Sequence, residues 1–234
     1  MGFYDNCNFD GLKLLSQIKT KPEDFVSDPC EDFLDIIKSL KSTRRNISVA
    51  EIGIGYGATT LRTLELLDAG DVYYAFDFKK KLEDFAYDLQ ARNFGINCEV
   101  ILAPNSNKEW DSYNWNLSNM IFRMRERGEA GMFDAVFLDG AHTFLHDGLA
   151  VCLLKELIKD GGFLLLDDIF WNFNSCEWGL NVGAERLTAE QMADCQILRV
   201  RKLFLDNDPN FEEISSPDAY RAAYKKRSDM PKCL

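Results

Sequence analysis

Short apolar runs alternate with amphipathic segments along most of this 234-residue chain. Five runs rich in β-branched and aromatic residues predict buried strands: 47–52, 72–76, 98–103, 133–138 and 163–166. Helical spacing predicts the segments between them: 59–67, 80–93, the second half of 110–127, and 143–159. Strands that alternate with helices through short turns predict a parallel sheet with right-handed crossovers, so all the strand-end loops should lie at one edge.

The two ends of the chain extend this α/β pattern. Residues 1–46 predict a helical N-terminal cap, with helices at Leu12–Ile18 and Cys30–Leu40, and residues 47–234 predict the ligand-binding domain. The cap could pack against the sheet or cover a substrate. A helix is predicted over Ala184–Leu205, and strands over Phe211–Ile214 and Ala219–Lys225. The resulting fold class is α/β: a doubly wound, mostly parallel, seven-stranded Rossmann-like sheet with a C-terminal antiparallel hairpin.

A glycine-rich turn follows the first strand. Gly53, Gly55 and Gly57 occupy every second position between that strand and the next helix. Glycine allows positive φ and close approach of a ligand to the backbone, and a helix N-terminus favours an anion. Glu51 adds a carboxylate to the same crevice, so a ligand with an anionic and a cationic end would suit it.

Two ligand classes compete for this turn. The spacing from Gly53 to Ala58 also fits the relaxed dinucleotide fingerprint, although Glu51 would repel a pyrophosphate. The string Glu51-x-Gly53-x-Gly55-x-Gly57 resembles motif I of class I S-adenosylmethionine-dependent methyltransferases, whose ligand carries both a carboxylate and an ammonium group. A glycine-rich turn without any ligand is the third alternative.

Two further positions concern a nucleoside. Asp77 ends the second strand, where doubly wound folds hold the two hydroxyl groups of a ribose, and both ligand classes predict it. The methyltransferase resemblance places Asn105 and Ser106 where that family contacts the adenine.

Acidic residues end the fourth and fifth strands. Asp139 follows one strand, and Asp167 and Asp168 follow the next. Neighbouring parallel strands bring such tips together, and crowded carboxylates raise one another's pKa unless a cation lies among them. Oxygen ligands favour a hard ion such as Mg²⁺. Alternatively, each aspartate could cap the segment that follows it.

The segments FDAVFLDGAH and LLKELIKDGGFLLLDDIFW are similar to metal-dependent small-molecule O-methyltransferases, most of all the macrocin type and more distantly the catechol type. The resemblance implies Asp139, Asp167 and Asp168 as ligands of Mg²⁺ or Mn²⁺, with Asp139 also serving the cofactor and catalysis. It implies His142 as the catalytic base. The chain departs from the pattern at Ala150, where many relatives carry an aspartate, so that role is absent or moved.

The two histidines of the chain, His142 and His146, would share one helix face if both were helical, as zinc ligands often do. The H-E-x-x-H pattern is missing, and no cysteine or third histidine accompanies them, so zinc is disfavoured.

The last 65 residues are expected to determine acceptor specificity or to form ordinary edge packing. Aromatic residues there are interspersed with asparagines, a composition that suits a flat or sugar-like acceptor: Phe170, Trp171, Phe173 and Trp178 with Asn172, Asn174 and Asn181.

Composition limits the partners. The formal net charge of −11 and the short basic runs disfavour nucleic acid. No apolar run approaches the roughly 18 residues of a membrane helix, and the N-terminus lacks a secretory pattern, so no membrane partner is expected. Seven cysteines without a C-x-x-C pair indicate reduced thiols and a cytoplasmic location. A homodimer is one assembly that the sequence allows.

The sequence thus predicts a Mg²⁺-dependent O-methyltransferase that uses S-adenosylmethionine on a small sugar, natural-product or aromatic acceptor. An N-methyltransferase, a nicotinamide-binding oxidoreductase and a binding domain without catalysis are the alternatives.

Overall fold

The computed structural model describes residues 28–91, 94–105, 112–216 and 219–228. Within these ranges, only the backbone of Ala91 and Trp178 is described. The predicted helix Leu12–Ile18 and the predicted adenine contact Ser106 lie outside the described residues. Among those residues, no helix combines the length and the apolar character needed to cross a bilayer.

Helices and strands alternate as the hydrophobic pattern predicts. The helices are α1 (Glu31–Thr43), α2 (Ala58–Leu66), α3 (Lys79–Ala91), α4 (Tyr113–Glu126), α5 (Phe144–Leu157), α6 (Glu177–Gly183), α7 (Ala189–Ala193) and α8 (Gln196–Phe204). The strands are β1 (Ser48–Ile52), β2 (Val72–Phe78), β3 (Glu99–Asn105), β4 (Phe133–Leu138), β5 (Ile158–Leu166), β6 (Phe211–Glu213) and β7 (Ala222–Lys226).

All seven strands form one sheet in the order β3-β2-β1-β4-β5-β7-β6. Strands β1 to β5 are parallel, and β7 runs antiparallel to both β5 and β6. The strand order reverses between β1 and β4, and ligands of doubly wound folds bind in the crevice at such a reversal. The predicted fold class, including the antiparallel hairpin, is confirmed.

Helices cover both faces of the sheet. Apolar side chains of α1, α2 and α3 pack on one face, and those of α4, α5 and α8 pack on the other. The central strand β4 is buried along its whole length, as expected for a strand covered on both sides. The sheet is therefore rigid where its strand tips form the candidate site.

The described part of the N-terminal region belongs to the first of these layers. In α1, Phe33 stacks on Phe137 of β4, with ring centroids 5.3 Å apart. The backbone N–H of Cys30 donates to Oγ1 of Thr59 at 3.0 Å, which brings the start of α1 to the start of α2. Helix α1 therefore packs against the sheet, with its N-terminus directed towards the strand tips; the cap over the substrate stays a prediction.

Two predicted helices differ from the structure. The predicted helix 143–159 ends at Leu157, and β5 begins directly at Ile158. The first residues of β5 pair with β4 across a bulge that contains Gly161, whose φ is 72°. The single helix predicted over Ala184–Leu205 is wrong. Thr188 caps the short α7 through a capping box, Asp194 is extended, and α8 starts afresh after it.

Candidate active site

The glycine turn after β1 is tightly packed at two of its three glycines. All three have positive φ: 87° at Gly53, 54° at Gly55 and 80° at Gly57. A Cβ at Gly53 would lie 1.8 Å from the carbonyl oxygen of Asp139, and one at Gly57 would lie 2.3 Å from the Phe85 ring. The turn therefore packs against the tip of β4 on one side and against α3 on the other.

Gly55 faces the open side of this turn. A Cβ added there would meet no atom of the described residues within 4 Å. Its backbone N–H donates to Oδ2 of Asp77 at 3.0 Å. Gly55 is thus the point at which a ligand can approach the loop backbone. It lies beside Asp77, the residue predicted to bind the ribose hydroxyl groups.

Asp77 is held at the tip of β2 by backbone amides. Its Oδ1 accepts from the N–H of Phe78 at 2.6 Å, while Oδ2 accepts from Gly55. Burial raises the pKa of Asp77, and these amide hydrogen bonds oppose the rise. Next to it, the Lys81 ammonium lies 4.0 Å from the centroid of the Tyr56 ring in the glycine turn.

Glu51 lies beneath the turn and not at its open side. It is 2% exposed, and its Oε2 accepts hydrogen bonds from Tyr73 and, at 2.9 Å, from Thr60 of α2. Burial raises its pKa to about 7, although both hydroxyl groups favour the carboxylate. Glu51 therefore ties β1 to β2 and α2, and its predicted contact with the cofactor stays a prediction.

Asn105 ends β3 and is buried. Its Oδ1 has no hydrogen-bond partner among the described residues. A buried amide oxygen without a partner costs free energy, and a donor group of a ligand would remove that cost. The predicted contact of Asn105 with the adenine stays a prediction.

The tips of β4 and β5 bring three predicted site residues together. One ligand atom each of Asp139, His142 and Asp168 lies within 4.8 Å of the others. Nε2 of His142 is 3.6 Å from Oδ1 of Asp139 and 3.5 Å from Oδ2 of Asp168. Burial, followed by the charges of Asp167 and Asp168, raises the pKa of Asp139 well above its usual range. Two carboxylates thus converge where a positive charge would be stabilised.

Asp167 is not one of these three residues, although its charge acts on Asp139. Its Oδ1 lies 3.0 Å from Nε of Arg221 and accepts from the backbone N–H of Asp168 at 2.9 Å. Burial raises the pKa of Asp167, and the Arg221 charge opposes the rise. Arg221 also lies 3.7 Å from Asp32 of α1. The guanidinium group of Arg221 is therefore the positive partner of Asp167 in this structure. The role of Asp167 as a metal ligand stays a prediction.

His142 and Asp168 both adopt the left-handed backbone conformation, each with φ of 55°. This conformation is uncommon outside glycine and is often found at functional sites. The ring of His142 packs at a tilt against the ring of Trp171, with centroids 5.3 Å apart, and Trp171 packs edge-on against Phe173. Aromatic rings thus lie beside His142, and the role of the segment after β5 in acceptor specificity stays a prediction.

His142 precedes α5, whereas His146 lies in its first turn. Nδ1 of His146 is 2.8 Å from Oγ1 of Thr143, the N-cap residue. The two histidines therefore do not share a helix face, and the spacing argument for zinc does not apply.

Four residues near the cluster were not identified from the sequence. Tyr220 donates to Oδ1 of Asp168, and Arg221 pairs with Asp167; both come from the segment before β7, far along the chain. Asp147 and Tyr113 hydrogen-bond to each other beneath the loop that carries His142. Asp147 could have been noticed, because it shares the otherwise apolar face of α5 with Ala150, Val151 and Leu154.

Asp147 lies near Ala150, the position at which the chain departs from the family pattern. Ala150 is fully buried in the apolar core, so no carboxylate acts from there. Asp147, one helical turn earlier, supplies a buried carboxylate next to the loop. Whether Asp147 takes the role that the resemblance assigns to position 150 is not tested by these contacts, and that role stays absent or moved.

Comparisons with known proteins agree with this geometry. The model of a family described as a methyltransferase domain matches residues 50–169, just over half of the chain. That range includes the glycine turn, Asp77 and the acidic residues after β4 and β5. No curated protein sequence matches the chain.

Solved structures show the same fold at low sequence identity. The SAH-bound methyltransferase PaMTH1 of Podospora anserina is 18% identical over 83% of this chain and 76% of its own, with a TM-score of 0.53. A putative caffeoyl-CoA O-methyltransferase of Staphylococcus aureus is 13% identical over 88% and 86%, with a TM-score of 0.57. MycE of the mycinamycin pathway, in complex with Mg and SAH, is 19% identical over 86% and 51%, with a TM-score of 0.52.

The family match favours the methyltransferase interpretation of the glycine turn over the dinucleotide one. The chain belongs to the methyltransferase-domain family, and it shares its fold with methyltransferases whose structures contain SAH.

Proposed function

We propose that this methyltransferase transfers its methyl group to a hydroxyl oxygen of a small acceptor, with Mg²⁺ or Mn²⁺ at the tips of β4 and β5. The observation that carries the proposal is the convergence of Asp139, His142 and Asp168 within 4.8 Å beside the glycine turn. The carbonyl of Asp139 touches that turn, so cofactor and acceptor would meet at this point.

The residues present fit a hard divalent cation. Carboxylate oxygens of Asp139 and Asp168 are the ligands that Mg²⁺ prefers. The raised pKa of Asp139 reflects burial and repulsion from the neighbouring carboxylates, which a cation would relieve. When bound, the ion would lower the pKa of the acceptor hydroxyl.

His142 is suited to take up the proton of that hydroxyl. Its Nε2 lies 3.6 Å from Oδ1 of Asp139 and 3.5 Å from Oδ2 of Asp168, beside the place where the acceptor hydroxyl would be held. Mg²⁺ favours oxygen over nitrogen, so the imidazole stays available for proton transfer. The oxygen then bonds to the methyl carbon, the carbon–sulfur bond breaks, and the cofactor leaves as a neutral thioether.

The surroundings suggest the acceptor class. Trp171 beside His142 and the exposed ring of Phe170 offer flat apolar surface. The acidic cluster and the net charge of −11 disfavour a highly anionic acceptor. A neutral sugar, natural product or aromatic alcohol fits best. Oxygen as the target is also supported by similar structures of O-methyltransferases, among them TomG of Streptomyces achromogenes, at 15% identity.

Manganese binding tests the proposed metal site without knowledge of the acceptor. Electron paramagnetic resonance reports free Mn²⁺, whose signal should fall when the wild-type protein is added with S-adenosylhomocysteine. Asp168→Asn should abolish this loss of signal and leave calorimetric binding of S-adenosylhomocysteine intact. Asp160→Asn, an exposed carboxylate on β5, is the control and should behave as wild type. Equal Mn²⁺ binding by all three proteins would refute the metal site.

A further inference from the structure

The loop from Asp139 to Thr143 presents His142 in an unfavourable backbone conformation. Its φ of 55° is the left-handed region, which side chains with a Cβ rarely adopt. Such a conformation persists only where the surrounding structure imposes it. The contacts that hold the two neighbouring peptide groups therefore decide where the imidazole points.

Two buried side chains make those contacts. The backbone N–H of Ala141 donates to the hydroxyl oxygen of Tyr113 at 3.3 Å, and that hydroxyl donates to Oδ1 of Asp147. The backbone N–H of Thr143 donates to Oδ2 of Asp147 at 3.0 Å. A hydrogen-bonded chain thus joins the residue before His142 to the residue after it.

The packing leaves this arrangement little freedom. A Cβ at Gly140 would lie 2.4 Å from Oδ1 of Asp147 and 2.7 Å from the hydroxyl of Tyr113. Both side chains are buried, and Asp147 has no exposed surface. The loop backbone therefore lies directly on the Tyr113–Asp147 pair, and a shift of either group would move the loop.

Helix capping explains only one oxygen of the buried carboxylate: Oδ2 of Asp147 accepts from the N–H of the N-cap residue Thr143, whereas Oδ1 accepts from Tyr113. Thr143 already caps α5, since its Oγ1 accepts from the N–H of His146 at 3.3 Å. A carboxylate buried on an apolar helix face is unfavourable unless it is well paired. Burial raises the pKa of Asp147, and among the opposing influences the charge of His142 is the largest. Both oxygens of the carboxylate are thus occupied by the Tyr113 hydroxyl and by the loop that carries His142.

We infer that Tyr113 and Asp147 are positioning residues that hold His142 in place for proton transfer, an inference that rests on the proposed function. Neither residue needs to contact the acceptor. Their effect on turnover should therefore require the imidazole of His142.

A matched pair of tyrosine variants tests this inference. Tyr113→Phe removes one hydroxyl group from the pair. Tyr224→Phe removes a hydroxyl from a second buried tyrosine, one that donates to the more exposed Asp206 at 2.5 Å and contacts neither His142 nor its loop. Loss of a supporting contact of this kind typically lowers activity 10- to 100-fold. Tyr113→Phe should lower kcat by about that factor with the KM for the cofactor unchanged, and Tyr224→Phe should not.

A double-mutant cycle separates positioning from general damage. In a His142→Ala background, Tyr113→Phe should lower kcat no further, because its effect acts through the missing imidazole. Additive losses, or equal losses in Tyr113→Phe and Tyr224→Phe, would overturn the inference. Asp147→Asn replaces Tyr113→Phe if the latter fails to fold.

Histidine ring signals in NMR spectra give a result that needs no acceptor. The chain has two histidines, so His142→Ala assigns both. Tyr113→Phe should shift or broaden the His142 signal, and Tyr224→Phe should leave it unchanged. If the His142 signal is unchanged in Tyr113→Phe, the positioning role is refuted, whether or not any acceptor is methylated. If the signal changes but no acceptor is methylated, the proposed function is refuted and the positioning role is not.

Discussion

Nε2 of His142 lies 3.5 Å from Oδ2 of Asp168, and these two residues from neighbouring strand tips share the same left-handed backbone conformation. Neither conformation comes from a glycine, so the surrounding contacts must impose both. In each case a tyrosine makes a contact: the buried Tyr113 accepts from the loop of His142, and the exposed Tyr220 donates to the carboxylate of Asp168. The geometry of the site therefore depends on residues distant in sequence.

Replacement of the two histidines should have unequal effects. His142→Ala should lower kcat by about 10²- to 10⁴-fold, the usual contribution of a general base, with little change in cofactor binding. His146→Ala should cost far less, because its Nδ1 faces Thr143 and not the carboxylates. Steady-state kinetics of both variants provides the comparison. A more damaging His146→Ala would place the base elsewhere.

The sequence was sufficient to predict the sheet and the residues at its strand tips. The strands are short and buried on both sides, and their ends carry glycine or aspartate, so local pattern and topology together brought Asp139, His142 and Asp168 to one edge. The residues at each strand end are recognisable from the local sequence, and the parallel connections place these strand ends next to one another in the sheet.

Contacts from the distant C-terminal segment could not be predicted in the same way. Arg221 reaches Asp167 only because β7 inserts antiparallel beside β5, and no spacing within the sequence encodes that register. The break between α7 and α8 was missed for a different reason. Thr188 offered its capping hydrogen bond within a segment whose composition otherwise suits one helix.

The open side of the glycine turn should be sensitive to added bulk. Gly55→Val should abolish binding of S-adenosylhomocysteine, because the side chain would fill the space at which the loop backbone meets the ligand. Gly128→Val is a matched control: Gly128 also has positive φ, at 67°, and open space around its Cβ position, but it follows α4. Calorimetry with both variants checks this, and equal affinities would contradict the assignment of the turn.

Loss of the carboxylate at the tip of β2 should weaken the cofactor complex. Asp77→Ala should reduce affinity for S-adenosylhomocysteine by about 1–3 kcal/mol through lost hydrogen bonds to a charged acceptor. Glu83→Ala on α3, which pairs with Lys79 on the surface, serves as the control. Isothermal titration of both variants measures the difference. An Asp77→Ala protein that binds as tightly as wild type would exclude the ribose role.

Glu51 should make the unliganded protein less stable as the pH rises. Folding raises its pKa from 4.5 to about 7, so between these values the folded state binds more protons than the unfolded state. The free energy of unfolding therefore falls as the pH rises from about 4.5 to about 7 and levels off above, by an amount on the order of 3 kcal/mol from this group.

Comparison with Glu51→Gln isolates that effect from the other carboxyl groups with raised pKa. The variant should lose less stability than wild type between pH 5 and pH 7.5 in urea denaturation. Glu65→Gln, an exposed carboxyl on α2, should follow the wild-type curve. Parallel curves for Glu51→Gln and wild type would show that the buried carboxyl does not titrate in this range.

Transfer of a radiolabelled methyl group tests the central proposal most directly. The protein is incubated with labelled S-adenosylmethionine and a panel of neutral alcohols, sugars, phenols and amines, in EDTA and then with excess Mg²⁺ or Mn²⁺. The account predicts label on a hydroxyl-bearing acceptor only with the metal, and none for Asp139→Ala under either condition. Full transfer in EDTA, or label on amines alone, would contradict a metal-dependent O-methyltransferase.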